Sequence, residues 1–272
     1  MAEEEIAAYG AKPMKLVENG VRNDGHHVAD LRPLNITVGV LKKADGSALI
    51  EWGRNRILAG VYGPREVFPK HLTDPNKAII TCRYAMAPFC SLEEHGKFGP
   101  NRRAIEIGKV AKHVFESMVL TEQFPKTAID INIDVLQSDG GTRVAGIMAA
   151  ALALVDAGIP MRDIPAGVSV GKADGTLVVD LDKYEDNLGQ SDMPVIFSPR
   201  TWEILLLQMD GMLTKQEFID GIELAKQGSM KVHEKQVEAL TRKYGAAVAG
   251  DLEDFAPQGG SPAAPAQPRS GY

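Results

Sequence analysis

The chain has 272 residues, 44% hydrophobic and 24% charged, with 30 Lys and Arg against 36 Asp and Glu for a net charge of −6. That length and composition exclude a disordered chain and fit one large domain or two small ones. Charges or prolines interrupt every apolar run before the ~18 residues a membrane span requires, and the acidic balance argues, on average, against a binder of phosphate backbones.

The N-terminus MAEEEIAAYG has no basic start followed by an apolar stretch, so no secretory signal is expected. The only two cysteines, Cys82 and Cys90, are read as packing residues of an intracellular, cytoplasmic protein. Residues 1–15, with Glu3, Glu4 and Glu5, are expected to be a flexible segment. Ile36 to Glu51 runs apolar–turn–apolar around Lys43-Ala44-Asp45-Gly46 and predicts a hairpin, because Asp-Gly suits the positive φ angles of a type I′ turn. Strands are expected over Arg56–Tyr62 and Ala78–Ala87, then a helix from about Asn101 to Val119. Between Lys97 and His113 stand Lys97, Arg102, Arg103, Lys109 and Lys112 against Glu106 alone, a window of +4. Cations at a helix start oppose the helix dipole, so Arg102 and Arg103 point to an anionic ligand. Upstream, the Pro-rich loop Tyr62–His71 adds Arg65, Lys70 and His71, and a basic loop with a basic helix start is what tracking a phosphate backbone needs.

Ala128–Leu136 is a strand by strict alternation, Ile129, Ile131, Ile133 and Val135 against Asp130, Asn132 and Asp134. It leads through Gln137–Arg143 into VAGIMAAALALVDAG, which is apolar on all sides and predicts a core helix ended by Gly158 and Pro160. The N-terminus of that helix could bind an anion: Gly140 and Gly141 allow close backbone approach, Thr142 adds a hydroxyl and Arg143 a fork matched to phosphate oxygens. An ordinary Thr cap with an exposed Arg is the alternative. A second hairpin, Val168 to Asp180, repeats the tetrapeptide as Lys172-Ala173-Asp174-Gly175 and suggests two similar halves.

The acidic run that follows holds Asp180, Asp182, Glu185, Asp186 and Asp192. Asp180, Asp182 and Glu185 read as a solvated loop. Asp186 and Asp192 are candidates for converging carboxylates, which make a general acid or hold a divalent metal near phosphate. Asp192 borders the core strand Pro194–Ser198, where a carboxylate needs an Arg or a metal as partner. A strand over Glu203–Met209 and a helix over Thr214–Leu240 follow. From Ala256 the sequence APQGGSPAAPAQPRSGY reads as a disordered tail. No histidine spacing suits zinc, and no serine lies in a G-x-S-x-G elbow.

Gln137–Arg143 with its helix, Ala166-Gly167-Val168-Ser169-Val170-Gly171, Glu185-Asp186 followed by Asp192-Met193, and Arg102-Arg103 together resemble the RNase PH superfamily, from about Leu16 to Tyr244. On Met193-Pro194 and the Val61-Tyr62-Gly63-Pro64-Arg65 loop, the chain is most similar to catalytic, RNase PH-like subunits of archaeal exosomes. The resemblance implies an α+β fold of two similar βαβ-type halves, like domain 2 of ribosomal protein S5, spanning residues 16–250 with a disordered tail over 251–272. It implies processive 3′→5′ phosphorolysis of single-stranded RNA to nucleoside diphosphates, with inorganic phosphate as co-substrate. Phosphate falls on Gly140, Gly141, Thr142 and Arg143, and catalysis on Asp186 with Asp192 as its companion, the pair either protonating the departing 3′ oxygen or holding a Mg²⁺ that stabilises it. RNA falls on Arg65, Arg102 and Arg103. Implied partners are the RNA 3′ end, a related non-catalytic subunit in a hexameric ring of three heterodimers, and RNA-binding cap proteins, with no membrane. The alternatives are a homohexamer trimming tRNA 3′ ends and a non-catalytic RNA-binding ring scaffold.

Overall fold

The computed structural model describes residues 15–91 and 102–254, with side chains through residue 245. Most of the expected flexible N-terminal segment, Lys97 of the basic window and the tail beyond Asp254 lie outside the described residues.

A small hairpin of β1 (Val17–Glu18) and β2 (Val21–Arg22) precedes the first sheet. Strands β3 (Leu34–Val38), β4 (Gly46–Trp52) and β5 (Asn55–Glu66) form an antiparallel meander. Then come β6 (Ile79–Met86), helix α1 (Arg102–Met118) and β7 (Thr127–Gln137), completing the order β3-β4-β5-β7-β6. Strands β6 and β7 are parallel, which requires a crossover, and α1 supplies it. On β7, Ile129, Ile131, Ile133 and Val135 are all buried, as their alternation predicts.

Helix α2 (Thr142–Asp156) leads into the second half: β8 (Ala166–Ala173), β9 (Thr176–Val179), α3 (Lys183–Leu188), β10 (Ser191–Phe197), β11 (Ile204–Leu207) and β12 (Asp210–Gly211). The sheet order is β11-β10-β8-β9, with β12 also on β10, and all of these pairings are antiparallel. The two halves thus share a sheet backed by helix, while the described parallel crossover belongs to the first.

Every residue of α2 from Val144 to Leu154 is buried, because the helix packs against β4, β5 and β7 on one sheet and β8 and β10 on the other. A helix without a polar face is stable only when enclosed in this way. Helix α4 (Lys215–Asp254) covers β8, β9 and β10 and reaches β3. It runs well past the expected end at Leu240. Arg242 donates to the Ile36 carbonyl at 2.6 Å, and Lys243 and Tyr244 close on Asp156 at the end of α2. These contacts hold a stretch whose own sequence shows little helical patterning.

The repeated tetrapeptide adopts two structures. Asp174 and Gly175 have φ of +48° and +78° and form the expected two-residue turn between β8 and β9. Asp45-Gly46 does not turn the first hairpin. The β3–β4 pairing ends at Val38 and Ala48, and Gly46 is already paired to Val61 of β5. A Cβ on Gly46 would lie 2.2 Å from the Ala153 carbonyl, so glycine is needed there for close approach to α2.

Candidate active site

Strand β7 delivers the chain to the N-terminus of α2 through Gly140 and Gly141, both left-handed at φ of +69° and +66°. A Cβ on Gly140 would sit 2.5 Å from the Asp182 carbonyl carbon. The loop is therefore pressed against Asp182, the N-cap of α3. Asp182 accepts hydrogen bonds from the Tyr184 and Glu185 N–H groups at 2.9 and 2.8 Å, and its own N–H donates to Glu185 at 3.0 Å. This capping box stabilises a six-residue helix too short to persist alone, and α3 carries Asp186. Asp192 enters from β10, where it pairs with Gly171 of β8.

The Asp186 and Asp192 carboxyls lie side by side and act on each other. Burial and the Asp186 charge push Asp192 up to about 7. Burial also raises Asp186, although Arg103, the neighbouring Asp192 and Arg143 pull it down. Two half-buried carboxyls side by side cannot both ionise easily, so the pair holds a proton near neutrality.

At the mouth of α2, the Thr142 hydroxyl and Arg143 Nε are buried without a hydrogen-bond partner among the described residues. Arg143 lies 3.5 Å from Glu106 of α1, a partly exposed contact made through Nη2 that leaves its buried Nε unpartnered. The buried Tyr84 hydroxyl of β6 faces Thr142 and also has no partner of proper geometry. Unsatisfied donors around a helix N-terminus are suited to an anion with several acceptor oxygens. Tyr84 was not a sequence candidate; its only signal is the inward phase that it shares with buried Ile80.

Gly140, Gly141, Thr142, Arg143, Asp186 and Asp192 thus come together, and Arg103 joins them through its field on both carboxyls. Arg102 is its exposed neighbour at the start of α1. Arg65 stands apart. It pairs with Ala128 at the far end of β7, about 30 Å from Gln137 at ~3.3 Å per strand residue. There it binds Asp130 and lies over the Tyr62 ring.

The solvated reading is overturned for Asp180 and Glu185, while Asp182 is half-buried as the N-cap of α3. Asp180 is buried and accepts from Arg32 Nη2 at 2.6 Å, Arg32 Nε at 3.1 Å and Trp52 Nε1 at 2.8 Å. Glu185 is buried against Arg22, with contacts of 2.8 and 2.5 Å. Each finds an arginine from the N-terminal part of the chain, and a buried carboxylate is tolerated only with such a partner. Both cysteines are free; Cys90 is buried, and burial pushes the Cys82 thiol up to about 12, which makes it inert.

Two family models match the chain: "3' exoribonuclease family, domain 1" over residues 30–160 and "domain 2" over residues 163–228. The exosome complex component Rrp41 of Pyrococcus furiosus is 57% identical over 85% of this chain and 92% of its own length. That of Archaeoglobus fulgidus is 51% identical over 88% and 93%. The rice Rrp46 crystal structure superposes with a TM-score of 0.73 at 26% identity, covering 81% of this chain and all of that one. A chain of the Archaeoglobus fulgidus exosome with RNA bound to the active site shares the fold at a TM-score of 0.69 and 24% identity, covering 80% of this chain and 93% of its own. With both domain models matched in order and such identity across most of its length, the chain belongs to the 3′ exoribonuclease family of RNase PH-like proteins.

Proposed function

We propose that this chain is the catalytic subunit of an exosome ring, a processive phosphate-dependent 3′→5′ exoribonuclease that degrades single-stranded RNA to nucleoside diphosphates. One juxtaposition carries this reading: unsatisfied donors at the N-terminus of α2 lie beside a carboxyl pair that holds a proton near neutrality. The attacking phosphate and the scissile phosphodiester are both anions, so the site must neutralise charge before they meet. Arg143, Arg103 and the helix N-terminus do so, and phosphoryl transfer is catalysed mainly by such positioning and electrostatics.

Inorganic phosphate sits against Gly140, Gly141, Thr142 and Arg143. Its oxygen forms a bond to the phosphorus of the last phosphodiester as the bond to the 3′ oxygen breaks. The Asp186–Asp192 pair gives its proton to that departing oxygen, leaving a fresh 3′ hydroxyl and releasing the terminal nucleotide as a diphosphate. The nucleophile is phosphate and not water, so the reaction is a phosphorolysis and the term hydrolase does not describe it.

In the alternative to proton donation, the two adjacent carboxylates would be ionised and would suit Mg²⁺, a hard cation that takes one or two carboxylates and fills its shell with phosphates and water. Among the described residues no group of three or more metal-ligating side chains exists, so Asp186 and Asp192 would be the protein ligands. Mg²⁺ bound there would supply charge neutralisation at the phosphate oxygens.

Arg102 and Arg103 hold the 3′ end of the RNA, and Arg65 meets the strand several nucleotides upstream. The relatives are named as exosome complex components, which supports assembly with a related non-catalytic subunit in a ring of three heterodimers under RNA-binding cap proteins. Edge strand β11 and the segment after it expose Ile204, Leu207, Met209 and Met212, apolar surface of the kind a neighbouring subunit covers. Among the described residues no helix is long and apolar enough to cross a membrane, and a cytoplasmic site of action is part of the same proposal. Product analysis of the chain, alone and with its partner, tests the reading. Nucleoside diphosphates formed only with phosphate are expected; monophosphates formed without it overturn phosphorolysis.

A further inference from the structure

We infer that Asn55 and Arg32 are positioning residues for the phosphate-binding loop, acting by holding two carbonyls so that the opposite N–H groups face the anion. This rests on phosphate binding at Gly140–Arg143.

Asn55 opens β5 after the tight Gly53-Arg54 turn, and its side chain is buried. Its Nδ2 donates to the Gly140 carbonyl at 2.6 Å, and its Oδ1 accepts from the Asp139 N–H at 2.6 Å. Arg32, also buried, donates from Nη1 to the Asp139 carbonyl at 2.5 Å. In a trans peptide the C=O and the following N–H point in opposite directions. Fixing the Asp139 carbonyl therefore turns the Gly140 N–H away from Arg32, and fixing the Gly140 carbonyl turns the Gly141 N–H away from Asn55. Neither N–H donates to any group among the described residues. Without these clamps, two consecutive left-handed glycines would sample many orientations of the same peptides. Fixed donors need no reorganisation when charge arrives, which is where a pre-formed anion site gains its advantage.

Arg32 adds a second linkage. Its other arms bind Asp180, two residues before the N-cap of α3, so one guanidinium ties the phosphate loop to the segment leading to Asp186. A Cβ on Gly53 would lie 2.9 Å from Arg32 Cδ, so the turn before Asn55 also makes room for this side chain.

The test uses the full chain in its active assembly, with inorganic phosphate and a single-stranded RNA. Asn55→Ala is expected to raise the KM for phosphate about tenfold or more while the KM for RNA stays within twofold. Phosphate should also protect the variant less against thermal unfolding than it protects the parent chain. Arg32→Lys keeps a charge for Asp180 but loses the fork, and should show the same split if Asn55→Ala folds poorly. Arg143→Lys serves as the reference for the phosphate site itself. If Arg143→Lys raises the phosphate KM while both other variants leave it unchanged, the positioning inference is overturned and the site stands. A phosphate KM unmoved in all three overturns both. Losses in Asn55→Ala and Arg32→Lys that only track the folded fraction, with both KM values intact, also overturn the inference.

Discussion

The Asp186 carboxyl on α3 and the Asp192 carboxyl on β10 lie side by side and act on each other, which makes one proton-bearing unit out of two acids. Turnover should therefore fall as pH rises through about 7, where Asp192 loses its proton, while RNA binding persists. Asp186→Asn and Asp192→Asn should each lower kcat by about 10²-fold or more. Rates of phosphorolysis across pH 5–9, on parent and variants, check both statements.

The same pair weakens the fold. Asp192 is raised from 3.8 to about 7 in the folded protein, so the folded state binds the extra proton between those values. Its contribution to stability is present at low pH and is lost as pH rises through that window. Asp192→Asn removes the loss and should raise the melting temperature by a few degrees at pH 8, with a smaller gain at pH 4. Thermal unfolding at the two pH values decides it, and an equal shift at both would contradict this account.

Gly140→Ala introduces a Cβ 2.5 Å from the Asp182 backbone at a φ of +69°. The loop must move or α3 must shift, and either separates the phosphate site from the acid pair. The expected result is a loss of phosphorolysis of about 10²-fold, since small displacements of a reacting group are felt strongly. Activity at saturating phosphate, with circular dichroism to confirm folding, measures it.

Arg103 and Arg65 should separate by substrate length. Arg103→Ala removes a charge that neutralises the reacting phosphates beside the acid pair, so kcat should fall for short and long RNA alike. Arg65→Ala lies about 30 Å away along β7, by strand rise, and should weaken only RNA long enough to reach it. Steady-state rates on oligonucleotides of graded length test the distinction.

Much of the secondary structure was legible because periodicity is a local property. Strict alternation marked β7 to within a residue at each end, and the unbroken apolar run marked α2 as the central helix. The proposed anion-binding half of the site was visible as a candidate for the same reason, since Gly140 to Arg143 are contiguous. The acidic segment was not. Asp180 and Glu185 look solvated because their partners, Arg32 and Arg22, lie 148 and 163 residues away. Asn55 and Tyr84 gave no signal because a polar residue at a strand end, or a tyrosine on a strand, is commonplace until its neighbours are known.

The net charge of −6 and the local basic window described the chain without saying where its charges meet. Sequence by itself determined which segments must be buried and which helix could present free N–H groups to an anion, because both follow from residues near one another. The tertiary structure decided which carboxylates are paired with arginine and which are left to hold a proton. Burial penalises charge, and only the folded arrangement determines which acids pair directly with a cation: Asp180 and Glu185 do, while Asp186 and Asp192 face each other under the fields of Arg103 and Arg143.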